Sequence, residues 1–180
     1  DHPRVISRYG NEAFRVESGK MLAACYLFQK GTPFVYQGQE IGMVNTHFAT
    51  IDELPDVSAH NQYRRMREQG KTDDGAMVVI NKAARDNART PMQWNGDTFA
   101  GFSTAEPWLP VNPNHIGVNV EAEEADPTSV LAFYRRAIEL RRKLPVVRDG
   151  AYHEYKRMSE NLYFYGRESE KSQILVMCSF

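Results

Sequence analysis

Between Glu12 and Gln29 the apolar residues Val16, Met21, Leu22, Cys25, Leu27 and Phe28 recur near the helical period. Gly31 stands where such a helix would close, and the short apolar run Thr32 to Tyr36, centred on Phe34 and Val35, follows at once. That order constrains the fold more than any other feature. A run of that length without alternation suits a strand buried on both faces, and helix, short loop and buried strand together form a unit of a parallel α/β architecture.

A long excursion from Asn45 to Ala100 comes next, with helices expected at Ser58–Glu68 and Asp73–Ala84. So long an insertion after one strand is usually functional. The segment Asp126-Pro127-Thr128-Ser129 starts a further helix that runs to Lys143. Asp126 or Ser129 can cap it, and Val130, Tyr134, Ala137 and Ile138 form one stripe. Arg141, Arg142 and Lys143 suit its negative end, and Pro145 stops it. Beyond Gly150 three strands are expected, at Tyr152–Arg157, Leu162–Arg167 and Gln173–Phe180, joined by polar turns. The change from helix–strand alternation to successive strands puts a domain boundary near residue 149. The chain opens on Asp1 without an initiator Met and closes on an apolar strand without a partner. It reads as a C-terminal fragment of a longer protein.

Composition narrows the function classes. With 22 basic and 23 acidic residues the net charge is −1, which implies no nucleic acid or other polyanion as partner. No apolar run approaches the ~18 residues needed to span a bilayer, so no membrane partner is expected. His47, His60, His115 and His153 are scattered without ligand-like spacing, so neither metal nor cofactor is expected. Cys25 and Cys178 lie far apart in apolar settings and read as two buried thiols rather than a disulfide or metal site. A reducing cytoplasm follows from that usage.

Three segments carry chemistry. Asp86-Asn87-Ala88-Arg89-Thr90-Pro91-Met92-Gln93-Trp94 sets charges beside apolar residues, with Pro91 fixing the backbone, as a loop presenting a charge over an apolar wall would. Upstream stands Gly31-Thr32-Pro33-Phe34-Val35-Tyr36-Gln37-Gly38-Gln39-Glu40-Ile41-Gly42-Met43, and the chain opens with Asp1-His2-Pro3-Arg4. In this order the three segments resemble the α-glucosidases of glycoside hydrolase family 13, in the oligo-1,6-glucosidase and trehalose-6-phosphate hydrolase branch. The resemblance implies an α/β fold: the last part of a (β/α)8 barrel over residues 1–149, then the start of an antiparallel C-terminal β-sandwich over 150–180. Thr32–Tyr36 would be the eighth strand, the excursion the eighth βα loop, and the helix to Lys143 the one that closes the barrel. Sites in such barrels lie at the C-terminal ends of the strands.

By residue type alone, Asp1 is an ordinary charged chain end. The resemblance makes it the third carboxylate of the site, a stabiliser of the oxocarbenium-like transition state. His2 departs from the Gln common at that place. An Arg keeps its charge in a partly dry pocket and offers a planar fork, so Arg89 is either a substrate-binding residue or a salt bridge, with Asp86, that ties down a loop. The resemblance favours the former and walls off the non-reducing end of the substrate. Arg85 reads as structural. Gln39 and Ser58 are the other substrate-binding candidates, each standing where relatives often carry Glu and so removing a negative charge. Arg4, Tyr36, Gly38 and Glu40 read as structural residues near the site. Gly38 would allow close backbone approach, and Glu40 would order its loop by hydrogen bonds. Trp94, Phe102 and Trp108 can stack on sugar faces but read as core beside Pro and Met.

A retaining glycosidase needs a nucleophile and an acid about 5–5.5 Å apart, which the family supplies from strands preceding this segment. The expectation is therefore a fragment of a retaining exo-acting α-glucosidase that cleaves short α-1,6-linked oligosaccharides, inactive alone and needing the N-terminal part of its own chain. Trehalose 6-phosphate is the next substrate class and sucrose-type disaccharides follow. The rival from another class is a non-catalytic barrel relative of amino-acid transporter heavy chains.

Overall fold

The computed structural model describes residues 2–155 and 159–180. The expected helix at Glu12–Gln29 forms as a 3-10 turn, Glu12–Phe14, followed by α2, Arg15–Leu27; the short α1, Val5–Tyr9, precedes it. The longest helix, α7 (Val130–Lys143), packs along α2 through Ala23, Leu27, Val130, Tyr134 and Ala137. Gly19 makes the approach possible: a Cβ there would lie 3.1 Å from both Val130 methyl groups and 3.3 Å from Ile6 Cδ1. Ser129 caps α7 by accepting from the Ala132 N–H, as expected. Ile138, placed on the buried stripe by the sequence, is instead 41% exposed. Tyr134 and Ala137 already fill the face toward α2, and Ile138 falls about 100° round the helix from Ala137.

The Arg141 guanidinium does not serve the end of its own helix. It donates to Leu27 O (2.6 Å), Gln29 O (2.9 Å) and Gly31 O, the carbonyl at the end of α2 and two just beyond it. The negative end it satisfies belongs to the neighbouring helix. Pro145 ends α7 as expected and also starts α8, Pro145–Asp149, at a position where a missing N–H costs nothing.

The excursion holds its own small core. Helices α3 (Val57–Glu68) and α4 (Asp73–Ala83) bury Ala59, Met77, Ile80 and Ala84 against Phe48, Leu54 and Leu109. The four-residue α5, Asp86–Arg89, and α6, Val120–Ala125, complete the helices. Neither was read from sequence, which took residues 86–94 as a loop, although Asn119 caps α6 by accepting from Ala122 N–H.

Thr32–Tyr36 is not a strand. It has no regular secondary structure and carries Phe34 at 86% exposure. A strand is defined by its hydrogen-bonded neighbours, and no strand among the described residues lies beside this one. The three C-terminal strands do form: β1 (Ala151–Glu154), β2 (Leu162–Glu168) and β3 (Gln173–Ser179), antiparallel in the order β1-β2-β3. The expected first strand ran to Arg157; residues 156–158 lie outside the described residues. Along β3 the residues Ile174, Val176 and Cys178 face inward, while Leu175 (58%) and Met177 (64%) face outward. The inward face, with Tyr165 of β2, lies on Met21, Cys25 and Phe28 of the α2 segment.

Candidate active site

Arg4 is the centre on which the chemistry-bearing segments meet. It is 4% exposed. Its Nε donates to Asn87 O (3.0 Å), its Nη1 to Gln37 O (2.5 Å) and its Nη2 to Thr90 Oγ1 (3.3 Å), while its backbone N–H donates to Asn45 Oδ1 (2.9 Å). Its guanidinium lies 5.8 Å from the centre of the Tyr36 ring. One buried fork thus joins the start of the chain, the turn at 36–40 and the 86–90 segment. Burial lowers its pKa to about 10, so it stays charged at neutral pH.

The turn itself is built by the backbone. Gln39 N–H donates to Tyr36 O (3.0 Å), Gly42 N–H to Gln39 O (3.1 Å) and Met43 N–H to Gly38 O (2.8 Å). Gln39 Oε1 accepts from Tyr36 N–H (3.3 Å), and the Tyr36 hydroxyl reaches across to Ala88 O (3.2 Å). Gly38 adopts a φ of +82°, and a Cβ on it would lie 2.3 Å from Met43 Sδ and 3.0 Å from Arg4 Nη1. Glu40 does not order this loop by hydrogen bonds, contrary to expectation. Its Oε2 is buried without a hydrogen-bond partner among the described residues, and its charge instead partly opposes the lowering of the Arg4 pKa by burial. Backbone bonds had already satisfied the turn.

The 86–94 segment is fixed by two interlocked ion pairs. Asp86, fully buried, accepts from Arg89 Nη1 (3.0 Å) and from the backbone N–H of Asp56 (3.1 Å). Asp56 in turn takes Arg85 as a fork, Nε at 2.8 Å and Nη2 at 2.5 Å, and caps α3 by accepting from Ser58 N–H. The hydrogen bond from Arg85 holds the Asp56 carboxyl below its ordinary value. Arg89 thus makes the pair with Asp86 that the sequence offered, and its side chain is 30% exposed. Ser58 is exposed in the first turn of α3.

These segments enclose a cavity of about 340 Å³ lined by His2, Arg4, Tyr9, Tyr36, Gln39 and Ala88. Of the sequence candidates, Arg4, Tyr36 and Gln39 line it, and Gly38 sits behind them against Arg4 and Met43. Arg89 and Ser58 do not line it, Arg89 following the lining residue Ala88 in sequence. Asp1 lies outside the described residues. Trp94 (51%), Phe102 (50%) and Trp108 (75%) are exposed, which overturns their reading as core. The small core of the excursion closes on Phe48, Leu54 and Leu109 without them.

Sequence reasoning missed the asparagines. Asn87, fully buried, accepts from Thr46 N–H (3.1 Å) and donates to Asn81 O (2.9 Å) and Ala84 O (3.2 Å). Asn112 donates to Val44 O (3.2 Å) and Asn45 O (3.0 Å). A side-chain amide offers both donors and an acceptor, so it can stand in for the ladder that a loop lacks. The available signal was the number of Asn residues in a long segment without strands.

Barrel enzymes build their sites from loops that converge on one face, and here three loops meet at one buried arginine beside an open cavity. Comparison with known proteins gives the family. Residues 1–150 match the alpha-amylase catalytic domain, and the chain belongs to this family of glycoside hydrolases. It is 42% identical to a protein named probable oligo-1,6-glucosidase 2 from Bacillus subtilis (strain 168), covering 100% of this chain and 32% of that protein. It is 38% identical to the trehalose-6-phosphate hydrolase of the same organism, again over 100% and 32%. Among solved structures, the trehalulose synthase MutB from Pseudomonas mesoacidophila MX-45 superposes with a TM-score of 0.94 at 38% identity, over 100% of this chain and 33% of that one. The trehalose-6-phosphate hydrolase TreA of Bacillus licheniformis does so with a TM-score of 0.93 at 38% identity, over 97% and 32%. The chain spans about a third of the length of these relatives. Its fold is the last part of a (β/α)8 barrel followed by the start of an antiparallel C-terminal β-domain. Among the described residues no helix is long and apolar enough to cross a membrane.

Proposed function

We propose that the full-length protein carrying this chain is a retaining, exo-acting α-glucosidase that hydrolyses short α-1,6-linked oligosaccharides. One observation carries the reading: Arg4 binds the start of the chain to the turn bearing Gln39 and to the segment bearing Arg89, so that all three are held in register around one cavity. Two relatives named oligo-1,6-glucosidase, from Bacillus subtilis and Bacillus cereus, stand at 42% and 41% identity and support the linkage.

In this reading Asp1 is the third carboxylate, gripping the sugar as positive charge develops at its anomeric carbon. The nucleophile and the general acid come from the preceding part of the barrel, so the 180-residue chain alone is inactive. Arg89, oriented by the buried Asp86, closes the non-reducing end, which makes cleavage exo-acting. Gln39 and Ser58 contact the substrate at the rim, and their lack of charge tunes the preference for the leaving sugar. Arg4, Tyr36, Gly38 and Glu40 support the site without touching the reaction, and neither metal nor cofactor takes part. Residues 1–149 form the barrel portion and 150–180 the β-domain. The two unlinked cysteines suit a reducing, cytoplasmic compartment.

The second reading is trehalose 6-phosphate hydrolysis, favoured by the relatives of that name at 38% and 39% identity. Glucose release from isomaltose by the full-length protein and by its Asp1→Asn variant tests the assignment. The wild type is expected to release glucose, and the variant to fall at least ~100-fold, the worth of a preorganised electrostatic group. Undiminished release by the variant would remove Asp1 from the site. Release from trehalose 6-phosphate alone would establish the second reading. Turnover of neither would leave a non-catalytic relative of the transporter heavy chains.

A further inference from the structure

The two cysteines, distant in sequence, meet where the sheet lies on α2. Alternation along β3 turns Cys178 inward with Val176 and Ile174, and register sets Cys178 opposite Tyr163. The next inward residue of β2, Tyr165, donates from its hydroxyl to Cys25 O (2.8 Å), so the sheet is anchored at this turn of the helix. Cys178 Sγ lies 3.9 Å from Met21 O, the carbonyl one turn before Cys25. A helical side chain leans toward the preceding turn, which here is the turn that Cys178 meets. Cys25 packs against the cluster that Tyr165, Val176 and Cys178 form. Neither cysteine is in a disulfide, and Cys178 is 1% exposed while Cys25 is half-buried.

The two sulfurs are not equivalent. The neighbouring Cys25 and burial push the Cys178 thiol up, whereas the neighbouring Cys178 holds the Cys25 thiol down. The more accessible sulfur is therefore also the better nucleophile.

We propose that Cys25 and Cys178 form a dithiol modification site, which hydrogen peroxide converts to a disulfide that staples the C-terminal sheet to α2. The Cys25 thiolate attacks one peroxide oxygen, the O–O bond breaks, and the departing hydroxide takes up the proton that Cys25 released, leaving water and a sulfenic acid. The Cys178 sulfur then attacks the Cys25 sulfur, the S–O bond breaks, and the leaving hydroxide takes the Cys178 proton as a second water. Two thiols lose two electrons and one peroxide becomes two waters. The link closes a loop over most of the chain, the arrangement in which a cross-link restricts the unfolded ensemble most.

The test treats the full-length protein with hydrogen peroxide, blocks remaining thiols by alkylation and maps peptides without reduction. The expected product is one pair of peptides, containing Cys25 and Cys178, joined and lighter than their sum by two hydrogen atoms, and separated by dithiothreitol. The oxidised protein should melt at least ~2 °C higher than the reduced one. The Cys25→Ser variant, altered at the half-buried position, should show neither effect while keeping the wild-type reduced melting point to within a few degrees. Should that variant fail to fold, the peptide map of the wild type decides alone. Recovery of both cysteines as alkylated thiols, or of Cys25 as a sulfinic acid with Cys178 still alkylated, would overturn the proposal.

Discussion

Gly38 carries the tightest steric demand near the site. Its φ of +82° is left-handed, and the space a Cβ would take is already held by Met43 Sδ and Arg4 Nη1. Gly38→Ala therefore combines backbone strain with displacement of the arginine that joins three segments. A loss of ~2–4 kcal/mol is expected, read from the urea midpoint, against the gain of under ~1 kcal/mol that Gly→Ala gives at an ordinary φ. An unchanged midpoint would mean that the turn relaxes freely. The sequence singled out Gly38 as a position allowing close backbone approach, whereas the atoms that crowd it are the side chains of Met43 and Arg4, which are long-range facts. Arg89 shows the same division. Its residue type and the nearby Asp86 made the ion pair legible, whereas the helical turn that lets residues three apart face each other was read as loop. That Asp86 would be fully buried, and would also accept from Asp56 N–H, was not legible.

At the scale of elements, the junction between α2, α8 and the sheet depends on one side chain. Arg167 on β2 is fully buried and donates to Phe28 O (3.1 Å), Gly150 O (2.6 Å) and Val147 O, carbonyls at the ends of α2 and α8. It answers for the sheet the need that Arg141 answers for α7: helix C-termini left without partners. Replacing Arg167 by Ala strands three buried acceptors and opens a cavity, and a loss of ~3–5 kcal/mol is expected in thermal or urea unfolding. Arg167→Lys should recover only part of it, because a compact ammonium does not reach acceptors spread around a planar fork. Full recovery by Lys would show that charge alone, not the fork, holds the junction. The sequence read Arg167 merely as the end of a strand. Its alternation with Tyr165 pointed inward, yet nothing local indicated that carbonyls from two helices would converge on it.

For the molecule as a whole, the segment Thr32–Tyr36 is the sharpest case. Its apolar run was read as a strand buried on both faces, and it stands irregular and exposed, with Phe34 at 86%. No strand among the described residues offers it a ladder. The amides of Phe34 and Val35 should then exchange with solvent deuterium at nearly unprotected rates in the isolated 180-residue chain, and become protected in the full-length protein, where the fold supplies neighbours. Protection in the isolated chain would mean that the segment finds another partner. What the sequence determined by itself was local: the helices from their period and caps, the three strands from alternation, and the family from the order of three short motifs. Period and capping act between residues a few positions apart, so one stretch of chain suffices to show them. The tertiary structure alone decided which arginine serves which helix end, that Trp94 and Trp108 stay outside the core, and that Cys25 meets Cys178. Those outcomes depend on which surfaces are brought together across the chain. Burial and hydrogen-bond satisfaction are properties of that assembly and are written in no single segment.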